Sequence, residues 1–216
     1  MVQATDVRMA TIYTIGHSTR TLEQLLAALH GHGITTLVDI RAFPMSRRLP
    51  YFNRESLEKE LPQNGIAYVW MKELGGRRKK VLAESPNTAL RDQSFRNYAD
   101  YMMSEEFELA IARLVEIAEK TADPSTPHSP DPQNSGSEKS GERFAQDDKS
   151  IGKTAIMCAE RVYFHCHRML VSDYLTAHGH TVLHIDDEKR PVREHTLMAE
   201  ARLVEGKLVY DGGRLL

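Results

Sequence analysis

The chain has 216 residues, a formal net charge of −2 and a pI near 6.6. This length suits one domain with a real core, and the near-neutral charge gives no reason to expect nucleic acid or a membrane as the general partner. No apolar run approaches the roughly 20 residues that span a bilayer, and the amino terminus lacks a secretory pattern, so we expect a cytoplasmic protein without membrane association. Two cysteines are too few to staple a fold, and we expect reduced thiols with a chemical or packing role.

The amino-terminal part of the chain has the pattern of a strand, a helix and a second strand. Residues 11–15 are β-branched or aromatic and stop at a turn, Gly16-His17-Ser18-Thr19, in which Ser18 or Thr19 is expected to cap the helix. After a helical leucine pattern, residues 35–40 predict the second strand, with Asp39 and Arg41 at its end. Such a unit is parallel and right-handed in nearly all proteins.

Three further strands are predicted, at 66–70, 154–158 and 181–185. The third strand ends in a glycine turn, Leu74-Gly75-Gly76, and residues 81–94 have no clear period. Residues 95–120 predict a helix that is broken near Ser104. This alternation predicts a single α/β domain, Rossmann-like, with a mainly parallel sheet flanked by helices.

The predicted domain covers residues 11–200, after a flexible amino terminus at 1–10. Residues 121–152 are predicted to be a disordered insertion, because within 121–150 six acids and three bases accompany almost no apolar side chain. Residues 201–216 predict a carboxyl-terminal hairpin and tail, with the turn at Glu205-Gly206.

Polar residues follow the predicted strands where each strand ends, and in parallel sheets ligands bind beyond these carboxyl ends. One set of residues is therefore expected to meet at a single rim of the sheet: Gly16, His17, Ser18, Asp39, Arg41, Gly75, Gly76, Arg77, Cys158, Glu160, His184 and Asp186.

Both cysteines belong to this rim. Cys158 ends an apolar strand, whereas Cys166 precedes an amphipathic helix and has Arg168 close by in sequence. A helix amino terminus and a fixed positive charge both stabilise a thiolate, so Cys166 is predicted to be the more reactive thiol. For Cys158 a role as a small buried hydrophobe is the more common alternative.

The motifs resemble those of the domain-of-unknown-function family 488. The resemblance rests on Thr14-Ile15-Gly16-His17-Ser18, Val38-Asp39-Ile40-Arg41 with Pro44 and Ser46, Leu74-Gly75-Gly76, Phe95 with Tyr98, Cys158-Ala159-Glu160 with Cys166-His167-Arg168, and His184-Ile185. It extends over nearly the whole chain apart from the insertion and the tail. The resemblance implies a fold and the place of a site, and the family's name assigns no reaction.

The first hypothesis for the rim is an enzyme that acts on an anionic, phosphate-containing or nucleotide-like substrate, as a cysteine-dependent hydrolase or transferase. Catalytic roles are predicted for Cys166 as nucleophile, His17, Glu160 and Cys158. Substrate or anion binding is predicted for Gly16, Ser18, Asp39, Arg41, Gly75, Gly76, His167, Arg168 and His184. Glu160 is open between a base, a ligand and a partner of Arg168. Simpler roles are a turn and cap at residues 16–18 and a plain ion pair between Asp39 and Arg41.

Three alternatives stay open. Cys158 and Cys166 are close enough in sequence for a redox pair. A metal site would draw on the thiols with His17, Glu160 or His167, but the cysteine spacing is not one that zinc sites use, so no metal ligand is assigned and the cofactor is unknown. A nucleic-acid-binding module would use residues 41–80, whose net charge is +6, with Tyr51, Phe52 and Trp70 as stacking groups. Nothing in the sequence indicates the oligomeric state.

Overall fold

A computed structural model describes residues 9–123 and 151–212. The strands are β1 (Thr11–Gly16), β2 (Ile34–Asp39), β3 (Ala67–Trp70), β4 (Lys153–Cys158), β5 (Thr181–Ile185), β6 (Arg193–Glu194), β7 (Ala201–Val204) and β8 (Lys207–Tyr210). The helices are α1 (Leu22–Gly31), α2 (Arg54–Gln63), α3 (Gln93–Met102), α4 (Glu105–Ala122) and α5 (Arg168–Ala177). Of these helices, none is long and apolar enough to cross a membrane.

Six of the strands form one sheet in the order β3-β2-β4-β1-β5-β6. The first five strands in this order are parallel, and only the short β6 pairs antiparallel, with β5. The predicted α/β fold with a mainly parallel sheet is confirmed, and the five predicted strands begin and end within one residue of their predicted bounds. The two-residue β6 was not predicted, since it is too short to show an apolar period.

Helices cover both faces of the sheet. Along β4, Ile156 packs into one apolar cluster with α3, α4 and α5, whereas Ala155 and Met157 pack into the other cluster with α1 and α2. This alternation follows from the period of two in a strand, and burial on both faces explains why β4 has no polar side chain between Thr154 and Cys158. The side chains of β4 that could take part in chemistry therefore lie only at its carboxyl end.

Two helix boundaries follow from capping side chains. Ser104 accepts a hydrogen bond from the backbone N–H of Phe107 and separates α3 from α4, as predicted. The amino-terminal cap of α1 is Thr21, which forms a capping box with Gln24. The expectation of a cap at Ser18 or Thr19 was wrong by two residues or more.

Strands β7 and β8 form a hairpin that turns at Glu205 and Gly206, both with positive φ. Tyr210 in this hairpin is fully buried, and its backbone N–H donates to the side chain of Asn87. The hairpin is thus packed against the domain, beside the aperiodic segment that precedes α3.

The predicted insertion at 121–152 lies outside the described residues from 124 to 150. At its edges the prediction was wrong, because Thr121 and Ala122 complete α4 and the Thr121 hydroxyl lies 3.1 Å from that of Thr36. Residues 1–8 of the predicted flexible amino terminus are also outside the described part. Ala10 is buried, and its backbone N–H donates to His180.

Gly16 ends β1 directly against the chain that follows β4. A Cβ at this position would lie 1.9 Å from the carbonyl oxygen of Glu160, a backbone atom that cannot move aside alone. We expect Gly16→Ala to lower the free energy of unfolding, measured in urea, by about 3 kcal/mol or more.

Gly65→Ala is the matched control, because Gly65 has φ +73° and open space around it. This change should lower the free energy of unfolding only by the strain of the left-handed backbone, about 1 to 2 kcal/mol. Equal losses in the two variants would show that the contact with Glu160 does not constrain the fold.

Candidate active site

A cavity of about 520 Å³ opens at the carboxyl ends of β2 and β4. Six of the residues predicted for catalysis or binding line it: Arg41, Gly76, Cys158, Glu160, Cys166 and His167. Arg77 of the predicted rim lines it as well. The parallel sheet explains this meeting, because the chain leaves neighbouring strands at the same edge. The cavity thus joins residues that are up to 126 positions apart in the sequence.

The two thiols lie side by side in the cavity wall. Their Sγ atoms are 2.8 Å apart, and both residues are buried, with 2% of Cys158 and 7% of Cys166 exposed. Cys166 lies just before α5, where its Sγ accepts the backbone N–H of Arg168 at 3.3 Å. The predicted position of Cys166 at a helix amino terminus is confirmed.

The environment separates the acidities of the two thiols. Burial alone would raise the pKa of Cys166, but hydrogen bonds from Cys158 and His167 and the charge of Arg168 lower this pKa to about 4. Burial, followed by the neighbouring Cys166, raises the pKa of Cys158 well above its ordinary value. The pair therefore holds one proton, on Cys158, and one thiolate, on Cys166.

Arg168 supplies the positive charge beside the thiols from inside the core. It is the largest fully buried side chain of the described residues. Its guanidinium donates to the carbonyl oxygens of Glu160 at 2.6 Å and Arg161 at 3.0 Å, and to the hydroxyl of Thr14 at 3.2 Å. These contacts direct its guanidinium to two backbone carbonyls and to Thr14, and the predicted role of Arg168 in binding a substrate anion stays a prediction.

His167 lies at the other side of Cys166. Its Nε2 is 3.0 Å from the carbonyl oxygen of Ile40, which can only accept, so Nε2 carries a proton and Nδ1 is the ring nitrogen left to hydrogen-bond Cys166. A Cβ on Gly76 would lie 2.4 Å from this Nδ1, and the ring also packs on Tyr98. Gly76 thus leaves the room that the imidazole occupies.

Asp39, Arg41 and His17 form a separate polar network. Arg41 donates to both carboxylate oxygens of Asp39 and to the carbonyl oxygen of Phe52. His17 accepts from Arg41 at 3.2 Å, donates from Nδ1 to the carbonyl oxygen of Ser18, and stacks on Phe52. Burial, then the charge of Arg41, lowers the pKa of His17 to about 4, so the ring is neutral near pH 7. The plain ion pair is the role of Asp39 and Arg41 that these contacts favour.

The other predicted residues lie away from the cavity wall. Gly75 packs against the chain after β2, with Ala42 2.7 Å from the place of a Cβ. Ser18 lines a smaller cavity of about 270 Å³ together with Arg20 and Arg161. His184 points into the core, where it is 2% exposed and hydrogen-bonded to Thr14. Roles for these three in substrate binding stay predictions.

Several residues that matter to the site were not predicted. Phe43, Met45 and Phe95 give the cavity an apolar side, and Phe43 and Met45 are strongly exposed. Two large apolar residues in an otherwise polar turn after β2 were the available signal. Asp173 in α5 was overlooked as well, although a carboxylate within a mostly apolar helix pattern signals a buried partner.

The described contacts give information on the alternative hypotheses of a metal site and of a nucleic-acid-binding module. Within residues 9–123 and 151–212, no three His, Cys, Asp or Glu side chains are grouped to hold a metal ion. Of the expected stacking groups, Phe52 is fully buried. The Trp70 indole N–H donates to the carbonyl oxygen of Arg41, and the Arg54 guanidinium covers its ring. These rings are therefore engaged with the protein.

One comparison with known proteins gives a match. Residues 21–123 match the model of a family described as domain of unknown function DUF488. This confirms the family resemblance recognised from the motifs, although both cysteines lie outside the matched segment. No curated protein and no solved structure matches the chain.

The assignment of the thiolate predicts how alkylation depends on pH. If Cys166 is ionised above a pKa of about 4, its rate of reaction with iodoacetamide should change less than about threefold between about pH 6 and pH 9. An ordinary thiol with a pKa of about 8.5 would react almost tenfold faster with each unit over most of this range. Peptide mass spectrometry of quenched samples gives the rate for each cysteine.

The urea-unfolded protein serves as the control, since both thiols should then titrate normally. A native Cys166 rate that climbs with pH as steeply as in urea would contradict the thiolate assignment.

Proposed function

The name of the family that residues 21–123 match states no reaction, and we propose a function from the site itself. The protein is an enzyme in which the thiolate of Cys166 attacks a small anionic substrate bound in the cavity. The observation that supports this most is the position of the Cys166 sulfur in the cavity wall, 2.8 Å from a thiol donor and 3.3 Å from a backbone N–H. A buried thiolate that faces an accessible space is the arrangement of a nucleophile.

The substrate class follows from the rest of the wall. Arg77 is an exposed cation at the cavity, with its guanidinium 5.9 Å from the ring centre of Phe43. Phe43, Met45 and Phe95 offer apolar surface nearby. A phosphate ester with a flat apolar group, such as a nucleotide, would place its anion near Arg77 and its ring against these side chains.

The chemistry proceeds by displacement at phosphorus. The Cys166 thiolate forms an S–P bond while the P–O bond to the leaving alcohol breaks, and the departing oxygen takes the proton of His167 Nδ1. Water then attacks the cysteinyl phosphate and gives a proton to the same Nδ1 while the S–P bond breaks, which restores both the thiolate and the imidazole proton. A reducing compartment such as the cytoplasm suits this cycle, because it keeps the nucleophile reduced.

p-Nitrophenyl phosphate tests the proposal, because it joins a phosphate to a flat ring and its leaving group is coloured. Cys166→Ser should abolish release of nitrophenolate, since a serine hydroxyl is not ionised near pH 7. Arg77→Ala should raise KM about tenfold with a smaller change in kcat, by loss of one charge contact to the phosphate.

Lys80→Ala removes an exposed cation of the same segment that does not line the cavity, and it should leave KM unchanged. Turnover that survives in Cys166→Ser, or equal effects of the Arg77 and Lys80 changes, would contradict the proposal.

The contact between the two sulfurs favours a second candidate, thiol–disulfide exchange. The Cys166 thiolate would attack a small disulfide such as oxidised glutathione, forming a mixed disulfide and releasing one thiol. Cys158 would then attack the Cys166 sulfur, close an internal disulfide and release the second thiol, so that two protein thiols are oxidised as one disulfide is reduced.

The variant Cys158→Ser distinguishes the two candidates. In an exchange enzyme it should accumulate the mixed disulfide with glutathione, which mass spectrometry detects, whereas the parent protein should lose two hydrogen atoms and carry no glutathione. Phosphatase activity that persists in Cys158→Ser, without any oxidation of the parent by glutathione disulfide, would exclude the second candidate.

A further inference from the structure

A row of hydrogen bonds runs through the core from Arg168 to Asp173. The Arg168 guanidinium donates to the Thr14 hydroxyl at 3.2 Å, and this hydroxyl lies 2.7 Å from Nδ1 of His184. Nε2 of His184 is 3.0 Å from Nδ1 of His195, and Nε2 of His195 is 2.8 Å from the Asp173 carboxylate. The row therefore connects a buried cation beside the thiols to a buried anion in α5.

Only one set of proton positions satisfies every contact when both rings are neutral. The carboxylate of Asp173 only accepts, so His195 carries its proton on Nε2 and accepts at Nδ1. His184 then donates from Nε2 and accepts at Nδ1, which places the hydroxyl proton of Thr14 toward His184. The oxygen of Thr14 is left to accept from Arg168, which can only donate. All four hydrogen bonds point in the same direction.

We propose that Thr14, His184, His195 and Asp173 form a positioning relay that holds the Arg168 guanidinium against the Cys166 thiolate. None of the four touches the cavity wall, so each acts through Arg168. The relay rests on the proposed function in one respect, that the thiolate is the reactive group.

Burying this row of polar groups costs desolvation free energy, which suggests that the row serves the site. Thr14, Asp173 and Arg168 are each 1% exposed or less, and apolar side chains of similar size would fill the space without any desolvation cost. The anion at the far end is held by further donors, with the Tyr210 hydroxyl at 3.0 Å and the backbone N–H of Met198 at 3.1 Å. Every polar side-chain atom of Thr14, His184, His195 and Asp173 thus has a partner, and only Nε of Arg168 has none among the described residues. A row paired in this way favours one geometry.

The surroundings of His184 keep its ring neutral. Burial, followed by the nearby His195, Arg168 and Arg193, lowers the pKa of His184 to about 3. The ring of Tyr163 stacks on it at 3.6 Å between centres and holds its plane. A protonated His184 would turn Nδ1 into a donor and lose the hydrogen bond from Thr14, so a neutral ring is what the relay requires.

Thr14→Val tests the relay, because it removes one hydroxyl and keeps the shape of the side chain. The absorbance of thiolate at about 240 nm, followed against pH, should show the Cys166 midpoint raised by about one pH unit or more, since the guanidinium loses the partner that orients it. Thr14→Ser restores the hydroxyl and should restore the midpoint of the parent protein.

Thr154→Val is the matched control. Thr154 is equally buried and also lies in the sheet, but its hydroxyl has no hydrogen-bond partner among the described residues. This change should leave the thiolate midpoint where it is in the parent. A midpoint in Thr14→Val equal to that in Thr154→Val would overturn the relay.

If Thr14→Val does not fold, nitrogen NMR of the imidazoles in the parent protein decides. The relay predicts a proton on Nε2 and none on Nδ1 in both His184 and His195, and the opposite tautomer in either ring would overturn it. A parent protein without any thiolate titration below about pH 7 would instead refute the proposed function, and the relay with it. A normal parent titration that Thr14→Val leaves unchanged refutes the relay alone.

Discussion

The burial of the Arg168 guanidinium is the constraint on which the site depends. A charge enclosed in the core is stable only if hydrogen bonds and opposite charges replace the water that it has lost. The carbonyl oxygens of Glu160 and Arg161 provide part of this replacement. The Glu160 carbonyl comes so close to β1 that only a glycine fits at position 16. The Gly-His-Ser, Cys-x-Glu and Cys-His-Arg motifs thus serve one buried group, although 152 positions separate Gly16 from Arg168 in the sequence.

The need to compensate every buried charge also explains which charges face the cavity. Arg41 and Asp39 neutralise each other in the core, and His17 supports them as a neutral ring. The two terminal nitrogens of Arg168 donate to carbonyl oxygens and to Thr14, and its charge lies beside the thiolate. The cavity is left with a thiolate in its wall and with Glu160 and the exposed Arg77 among its lining residues. We attribute the proposed reactivity to this division, because a nucleophile and an anion-binding group remain where Arg41, Asp39 and Arg168 are already engaged with the protein.

The sequence predicted the positions of elements better than the directions of side chains. Strands β1 to β5 were predictable because each is an apolar run with polar residues or glycine close behind it, and Cys166 could be placed before α5 from the helical period that follows. His184 was expected at the rim because it is near the end of its strand, but alternation along β5 turns it into the core against Thr14. The contacts of Asp173 and His195 could not be predicted, because they join α5 to the segment after β5 through side-chain geometry alone.

The reactivity of the site depends on two buried thiols that share one proton, with Cys166 as the ionised member. NMR of the cysteine β-carbons, assigned with the single variants Cys158→Ser and Cys166→Ser, reports the ionisation of each sulfur separately as pH is varied. Near pH 7 we expect the Cys166 carbon to have the chemical shift of a thiolate, with a midpoint at about 4, while Cys158 stays a thiol beyond about pH 9. Two thiol shifts at pH 7, or a thiolate shift at Cys158, would contradict the assignment of the thiolate to Cys166.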